Sequence, residues 1–368
     1  MGPAHMPRQA ASPPDQHLHD EPLVSVIMAA WNSEKYIAEA IESVQAQTYT
    51  NWELIVVDDA STDRTPEIVQ EYAERDPRIR LLRNTENQGP APSRNRAIRE
   101  SRGEFIAVLD SNDIALPNRL EVTVPVMQQN PDVAVVGGLA VYILEDGQEL
   151  GLQKLGTCPQ CDLTPERHLA HGGAFAGFHH TAALIRREAL RAVGGYDEWF
   201  PTSSDYNLWL CLSEQYRLLR VDRPVVRVRL CPGGISFAKQ RLQITYGAVA
   251  YQRWLWKQRG HRVDVEATFR RALARFGGSG ERATWELLYV TGLRCAQCAQ
   301  FRLARSYFLR SFLANPRRPR ALLRAALTLL PDGGEFLLDP LRRRGLIGHG
   351  ASPWGEGNEW HVDPVFVE

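Results

Sequence analysis

The stretch Leu54-Ile55-Val56-Val57-Asp58-Asp59-Ala60-Ser61-Thr62-Asp63-Arg64-Thr65 decides how this chain folds. Four apolar residues run straight into two carboxylates and then into a polar helix start, the pattern of a buried parallel strand that delivers acids to the open end of a sheet. In an open α/β sheet the crevice beyond the carboxyl ends of the strands is where ligands bind, so Asp58 and Asp59 are expected to face a substrate.

The same alternation extends on both sides. A strand is expected at Leu23–Met28 and a helix from Glu34 to about Gln47, with Tyr36, Ile37, Ala40, Ile41 and Val44 on one face. After the strand Trp52–Val57 come a helix over Thr65–Arg75, a short strand at Ile79–Leu82, a helix over Pro92–Ser101 and a buried strand at Glu104–Leu109 that ends in Asp110. Repeated β then α implies a parallel sheet with helices on both faces. Further strands are expected at Asp132–Gly138, Ala140–Tyr142 and Val225–Leu230, and a helix over Tyr206–Glu214, while the region from Gly147 to Ala176 reads as loop.

The chain has 368 residues, 44% hydrophobic, enough for one large domain and a smaller module. Its 43 basic and 43 acidic residues cancel, but unevenly: residues 1–200 carry a net −12, residues 201–350 a net +16 and the last 18 a net −4. A basic second half suits an anionic partner such as a membrane surface or phosphorylated acceptor, or docking on the acidic half. No run of about 18 apolar residues marks a membrane span. Residues 1–21 lack the apolar core of a signal peptide and are expected to be disordered, with Gly2-Pro3-Ala4-His5-Met6 resembling a cloning scar. Reduced thiols in a cytoplasm are therefore the default, and the protein is expected there, on the inner face of the membrane where it meets one. Cys158/Cys161 and Cys295/Cys298 form two C-x-x-C pairs, the raw material of a zinc site; the second pair falls inside an amphipathic helix, which favours buried helix cysteines. From about Gln240 the chain reads as helical and Arg-rich, with a helix-turn-helix unit of the tetratricopeptide type at Thr284–Ala314 and an amphipathic helix at Arg320–Leu330.

Three clusters carry chemistry. Ala29-Ala30-Trp31-Asn32-Ser33-Glu34 follows the first strand, where Trp31 either stacks on a flat ring or packs as core or lid. Asp58-Asp59 either accept hydrogen bonds from a base or ribose or cap the next helix. Asp110-Ser111-Asn112-Asp113 is an acid-rich turn suited to a hard cation bridging phosphate oxygens.

Together these segments resemble glycosyltransferase family 2, whose members have the GT-A fold. Val24–Glu34 is similar to the family's opening strand and loop, with Ala29 and Trp31 where Pro and Tyr are typical; Val57–Asp63 resembles its second signature, and Asn87-Gln88-Gly89 with Ser93-Arg94-Asn95 its third. Asp110–Asp113 with Pro117 sits at its DXD site, and Gly194–Glu198 followed by Ser203–Leu210 resembles the acceptor-side segment. The match spans about Pro22 to Leu230.

The resemblance implies an α/β GT-A domain over residues 22–238, a basic helical region over 239–345 and a tail over 346–368. It also implies inverting transfer from a nucleotide-sugar, a UDP-sugar being favoured, to a hydroxyl of a glycan, lipid-linked or other acceptor in surface polysaccharide or glycoconjugate synthesis. No nucleic-acid partner is expected. Asp205 matches the catalytic base. Ala30, Trp31, Glu34, Asp59, Arg94, Asp110 and Ser111 match the donor site, with Asp59 at the position that reads the nucleobase. Mg²⁺ or Mn²⁺ would be held by Asn112 and Asp113 with His180, unless His180 is a hydrogen-bonded loop histidine. Asn112 stands where an acid usually binds the metal, and a neutral amide oxygen is a weaker ligand for a hard cation. Ser204 and Asn207 replace the acids that commonly flank the base. Nucleotidyl transfer lacks support, because no Gly- and Lys-rich loop follows strand one; a degenerate domain serving as a binding or scaffold protein is the alternative from another class.

Overall fold

A computed structural model of the chain describes residues 21–152, 179–231 and 240–258, and, further on, residues 305, 308–309, 312–313, 320–327 and 329. Both C-x-x-C pairs, most of the expected helix-turn-helix unit, the loop from residue 153 to 176 and the tail lie outside the described residues.

Among the described residues nine strands form one sheet: β1 (Val24–Ala30), β2 (Trp52–Asp58), β3 (Ile79–Arg83), β4 (Phe105–Val108), β5 (Ile114–Ala115), β6 (Val133–Ile143), β7 (Glu149–Leu152), β8 (Leu184–Arg186) and β9 (Arg217–Arg229). Their order is β3-β2-β1-β4-β8-β6-β9-β5, with β7 on β6. The half built from β3, β2, β1 and β4 is parallel throughout, as the βαβ alternation requires. Beyond β4 the sheet is mixed: β8 runs antiparallel to both β4 and β6, while β9 is parallel to β6.

Alternation along the strands feeds two cores. Val24, Val26 and Met28 of β1, with Leu54 and Val56 of β2, pack on α1 (Ile37–Gln45), α2 (Thr65–Arg75) and α4 (Arg119–Gln129) through Ile37, Ile41, Val44, Val69, Leu120 and Met127. Ile27, Ile55 and Val57 face the other way, against α3 (Pro90–Glu100), α5 (Arg187–Ala192) and α6 (Ser204–Leu212) through Ala97, Ile98, Leu190, Leu208, Trp209 and Leu212. Strands buried on both faces explain why their sequences are continuously apolar.

Several boundaries differ from expectation. Residues 34–36 form a turn ahead of α1, and α3 starts at Pro90 because Gly89, at φ 92°, supplies the left-handed turn before it. The two strands expected around residues 132–142 are one, β6, which runs through Gly137-Gly138; a Cβ on Gly138 would lie 2.5 Å from Val225 Cγ2, so glycine there lets β9 approach. Strand β9 begins at Arg217, eight residues before the expected start. Helix α7 (Gln240–Gln258) packs on α6 through Val249, Ala250 and Trp254 against Phe200 and Leu210, tied by Arg253–Asp197 at 2.5 Å and Lys257–Glu214 at 2.7 Å. A last described helix, α8, spans Arg320–Leu327. Among the described residues no helix is long and apolar enough to cross a membrane.

Candidate active site

The carboxyl ends of β1, β2 and β4 lie side by side, and the loops that follow them are stitched together. Asn32, at φ 47°, donates its N–H to Ser61 Oγ at 2.9 Å and accepts the Thr62 N–H at 2.9 Å through its amide oxygen. Ser33 Oγ meets Ser111 Oγ at 2.8 Å, joining the loops after β1 and β4. The Glu34 carboxylate accepts the Arg64 N–H at 3.1 Å, and the Ala30 carbonyl accepts the Asp59 N–H at 2.8 Å. Ala30 and Glu34 thus fix the shape of the crevice wall. Trp31 is 57% exposed, which excludes a core role and leaves its ring available for stacking.

Asp59 is buried and its carboxylate is fully engaged. Oδ1 accepts from Asn84 Nδ2 at 2.7 Å and the Gln88 N–H at 3.0 Å, and Oδ2 accepts the Gly89 N–H at 2.7 Å. The acid therefore moulds the turn before α3. Neither Asp58 nor Asp59 caps α2; Asp63 takes the Thr65 N–H at 3.0 Å instead.

Arg94, on α3, donates from Nη2 to Asp110 Oδ1 at 2.8 Å, and its guanidinium lies 5.8 Å from the centroid of the Tyr196 ring. Burial opposes its charge, but Asp110, Tyr196 and Asp205 together outweigh that and raise its pKa. For Asp110, burial pushes the carboxyl up while Arg94 and then His180 hold it below the usual range. His180 occupies a 3₁₀ turn at residues 180–182, with Nε2 2.7 Å from the Tyr196 hydroxyl and Nδ1 3.9 Å from Asp110 Oδ1. Burial, then Arg94, lowers its pKa to about 4, against the pull of Asp110 and Asp205. Burial also raises the Tyr196 phenol. Which of the two groups donates in the His180–Tyr196 bond depends on which ring nitrogen carries the proton.

Asp205 stands in the first turn of α6, after Ser203 in the left-handed conformation at φ 58°. Its charge is felt by Arg94, His180 and Tyr196, the groups that also feel Asp110. Among the described residues its carboxylate makes no hydrogen bond or ion pair.

The expected metal ligands each face a protein partner. Asn112 Nδ2 lies 3.5 Å from Cys231 Sγ. Asp113 is 4% exposed, accepts the Arg229 N–H at 2.8 Å, and is pushed up to about 8 by burial and then by Asp110. His180 bonds Tyr196. No group of three or more His, Cys, Asp or Glu side chains able to hold a metal occurs among the described residues. As arranged here, these residues do not fit a cation held by the protein alone.

Arg229 was not expected at the site. Its buried guanidinium donates to the carbonyls of Asn112 at 3.0 Å, Leu144 at 3.3 Å and Glu145 at 3.0 Å, and to the Glu39 carboxylate, pinning the 110–113 turn from behind. Arg119, 1% exposed, donates to the Val108 carbonyl at 2.6 Å and the Ala183 carbonyl at 3.1 Å beneath the same turn; burial lowers it to about 10. An arginine in a polar strand or helix start carries no sequence signal for such a role.

Residues 25–194 match the family model described as glycosyl transferase family 2. An uncharacterized glycosyltransferase of Methanocaldococcus jannaschii is 32% identical over 254 residues, covering 66% of this chain and 82% of that protein. This chain belongs to glycosyltransferase family 2. It is a glycosyltransferase of GT-A fold that works on nucleotide sugars. The Escherichia coli UDP-Glc:alpha-D-GlcNAc-diphosphoundecaprenol beta-1,3-glucosyltransferase WfgD is 47% identical over 111 residues, 30% of this chain and 43% of that one. Among solved structures, the mannosyltransferase PcManGT from Pyrobaculum calidifontis, in complex with GDP-Man and Mn²⁺, superposes with a TM-score of 0.51 at 22% identity over 86% of this chain and 83% of that chain, a likeness of fold.

Proposed function

We propose that this glycosyltransferase inverts the anomeric centre of its donor, moving a sugar from a nucleotide-sugar, a UDP-sugar by preference, to a hydroxyl of a glycan or lipid-linked acceptor in surface polysaccharide or glycoconjugate synthesis. The observation that carries it is the pair of acids on one arginine: Asp110 bonded to Arg94, and Asp205 close enough to act on the same guanidinium while its own carboxylate stays unbonded. Asp205 takes the proton of the acceptor hydroxyl as that oxygen attacks the anomeric carbon, and the bond to the nucleoside diphosphate breaks on the opposite face. Arg94 spends one N–H on Asp110, and its others serve the charge that develops on the departing diphosphate. Trp31 offers its exposed ring to the nucleobase. For Asp59 to read the base as well, a base N–H must displace one of its bonds to Asn84, Gln88 or Gly89. Mg²⁺ or Mn²⁺ would supply charge at the diphosphate; Asn112, Asp113 and His180, turned to other partners, give no ground for routing a step through it.

The preference for UDP and a lipid-linked acceptor leans on the name of the E. coli relative, and the mannosyltransferase complex keeps GDP-sugars in the test. The basic half would hold the enzyme on the anionic inner surface of the cell membrane, where such acceptors lie. A thermal-shift panel of UDP-, GDP- and dTDP-sugars tests the donor, since a ligand at 100 times its Kd adds about 2.7 kcal/mol of stability. A rise with a UDP-sugar alone is expected; no response to any nucleotide-sugar would overturn the reading, and binding without turnover would favour a scaffold.

A further inference from the structure

Helix α3 sends three consecutive side chains to three different parts of the site. Ser93 Oγ accepts from Asn84 Nδ2 at 3.0 Å, beside the bond that the same amide gives Asp59; Arg94 bonds Asp110 at 2.8 Å; and Asn95 reaches the turn at residues 194–198. Successive helix residues point about 100° apart, so one turn serves all three. Asn95 lies in the third signature and has no role in the chemistry above. Its planar amide is used at both ends. Oδ1 accepts the Tyr196 N–H at 2.9 Å, and Nδ2 donates to the Tyr196 carbonyl at 2.8 Å and to Glu198 Oε1 at 2.8 Å. The turn comes so near that a Cβ on Gly195, at φ 78°, would lie 2.7 Å from Asn95 Oδ1. Among side chains of this length only an amide makes all three bonds. An aspartate loses both donors and sets a negative charge against the Tyr196 carbonyl and the Glu198 carboxylate.

The geometry points to Asn95 as a positioning residue for glycosyl transfer: it fixes the segment that carries Tyr196 and leads into Asp205 against the helix that carries Arg94. This rests on the roles proposed above for Asp205 and Arg94. Keeping the segment on the fold does not require Asn95. Tyr196 is buried in the core with Leu208 and Trp209, Phe200 packs in the core under α7, and Asp197 is tied to Arg253. Apolar burial is non-directional, whereas hydrogen bonds at fixed angles set register. Register is what the chemistry needs, since a displacement of about 1 Å costs on the order of 100-fold in rate. Tyr196 carries the setting inward: its hydroxyl lies 2.7 Å from His180 Nε2, and its ring centroid 5.8 Å from the Arg94 guanidinium.

The test compares Asn95→Ala, Asn95→Asp and the double variant Asn95→Asp, Glu198→Gln with the wild type, all as the full chain. Turnover is read as UDP release from UDP-glucose, with a GlcNAc diphosphate on a short alkyl chain as acceptor, the substrate types in the name of the E. coli relative. Should the wild type not use this pair, that failure belongs to the substrate reading, and hydrolysis of whichever nucleotide-sugar raises thermal stability takes its place. Asn95→Ala is expected to lower kcat by about 100-fold while the calorimetric Kd for the nucleoside diphosphate stays within about threefold. Hydrogen exchange at the Tyr196 amide should rise about tenfold and stay unchanged in β1 and β2. Asn95→Asp should lose as much turnover although it keeps the size of the side chain. Adding Glu198→Gln should recover about fivefold of that loss, because its amide can donate to the new carboxylate. Turnover of Asn95→Ala within about threefold of wild type would reduce the clamp to a structural tie and overturn the proposal. Loss of nucleotide affinity in step with turnover, faster exchange throughout the sheet, or no recovery in the double variant would overturn it too.

Discussion

Arg94 and Asp110 meet at 2.8 Å between the end of β4 and helix α3, and the guanidinium that makes this pair also feels Asp205. One cation is therefore bonded to the acid expected at the leaving group and feels the charge of the acid expected at the acceptor. Arg94→Gln should lower kcat by about 100-fold, the loss seen when one charge-stabilising donor is removed from a transition state. It should weaken donor binding less. Steady-state kinetics with a soluble acceptor separate the two, and an unchanged kcat would remove Arg94 from the chemistry.

Asp205→Asn keeps the shape of the side chain and loses the ability to take a proton. Transfer is expected to fall by 10² to 10⁴-fold, the usual contribution of a general base, with donor affinity nearly unchanged. A variant that retains more than a tenth of wild-type turnover would rule Asp205 out as the base. Asp59→Ala should act differently: it frees Asn84, Gln88 and Gly89 from their shared acceptor, so nucleotide affinity and loop order should fall together. Calorimetry with the nucleoside diphosphate reads the first.

How much of this was legible in the sequence follows from the range of each interaction. Strands β1, β2 and β4 announce themselves because burial on both faces makes them mostly apolar, and β2 and β4 run up to acids at their ends. Strand β9 does not, since Arg217, Arg220, Asp222, Arg223 and Pro224 break its first half into a polar pattern, and only pairing with β6 keeps it extended. The two-residue β5 and three-residue β8 are too short for any periodicity. At the site, Ala30, Trp31, Glu34, Asp59 and Asp110 to Asp113 follow the central strands as the pattern predicts, while Arg94, His180 and Asp205 come from α3, the 180–182 turn and α6, and some partners lie far along the chain: Asn112 meets Cys231, and Asp113 meets Arg229. Tyr196 was visible as part of a signature. Its bond to His180 was not.

Away from the site, Asp76 gives a pH signature. Its carboxylate takes two guanidinium bonds from Arg78, at 3.0 and 2.8 Å, with the Arg78 N–H at 3.1 Å and Gln45 Nε2 at 3.1 Å. Arg78 first, with these other donors and against burial, lowers its pKa to about 2. A depressed folded-state pKa means stability that is complete above the unfolded value near 4 and is lost as pH falls through about 2. Because Arg78 is 43% exposed and solvent screens the pair, the contribution should be about 1 to 2 kcal/mol. Urea unfolding of Asp76→Asn against wild type should show that gap at pH 6 and its closure toward pH 2; a gap independent of pH would refute the assignment.

Asn112 tests the metal question. Its amide nitrogen is engaged only weakly, 3.5 Å from Cys231 Sγ, so an aspartate of the same length would not displace a strong bond. The substitution Asn112→Asp adds a charged oxygen to a turn that already holds Asp110 and Asp113, and charged oxygens are what a hard cation selects. Calorimetric titration of Mn²⁺, with nucleoside diphosphate present, should show at least tenfold tighter binding to the variant, and activity at low metal concentration should rise. Added negative charge also repels the diphosphate. If metal affinity stays the same and activity falls, the natural amide serves to limit charge beside the leaving group, and Arg94 becomes the better candidate for stabilising it.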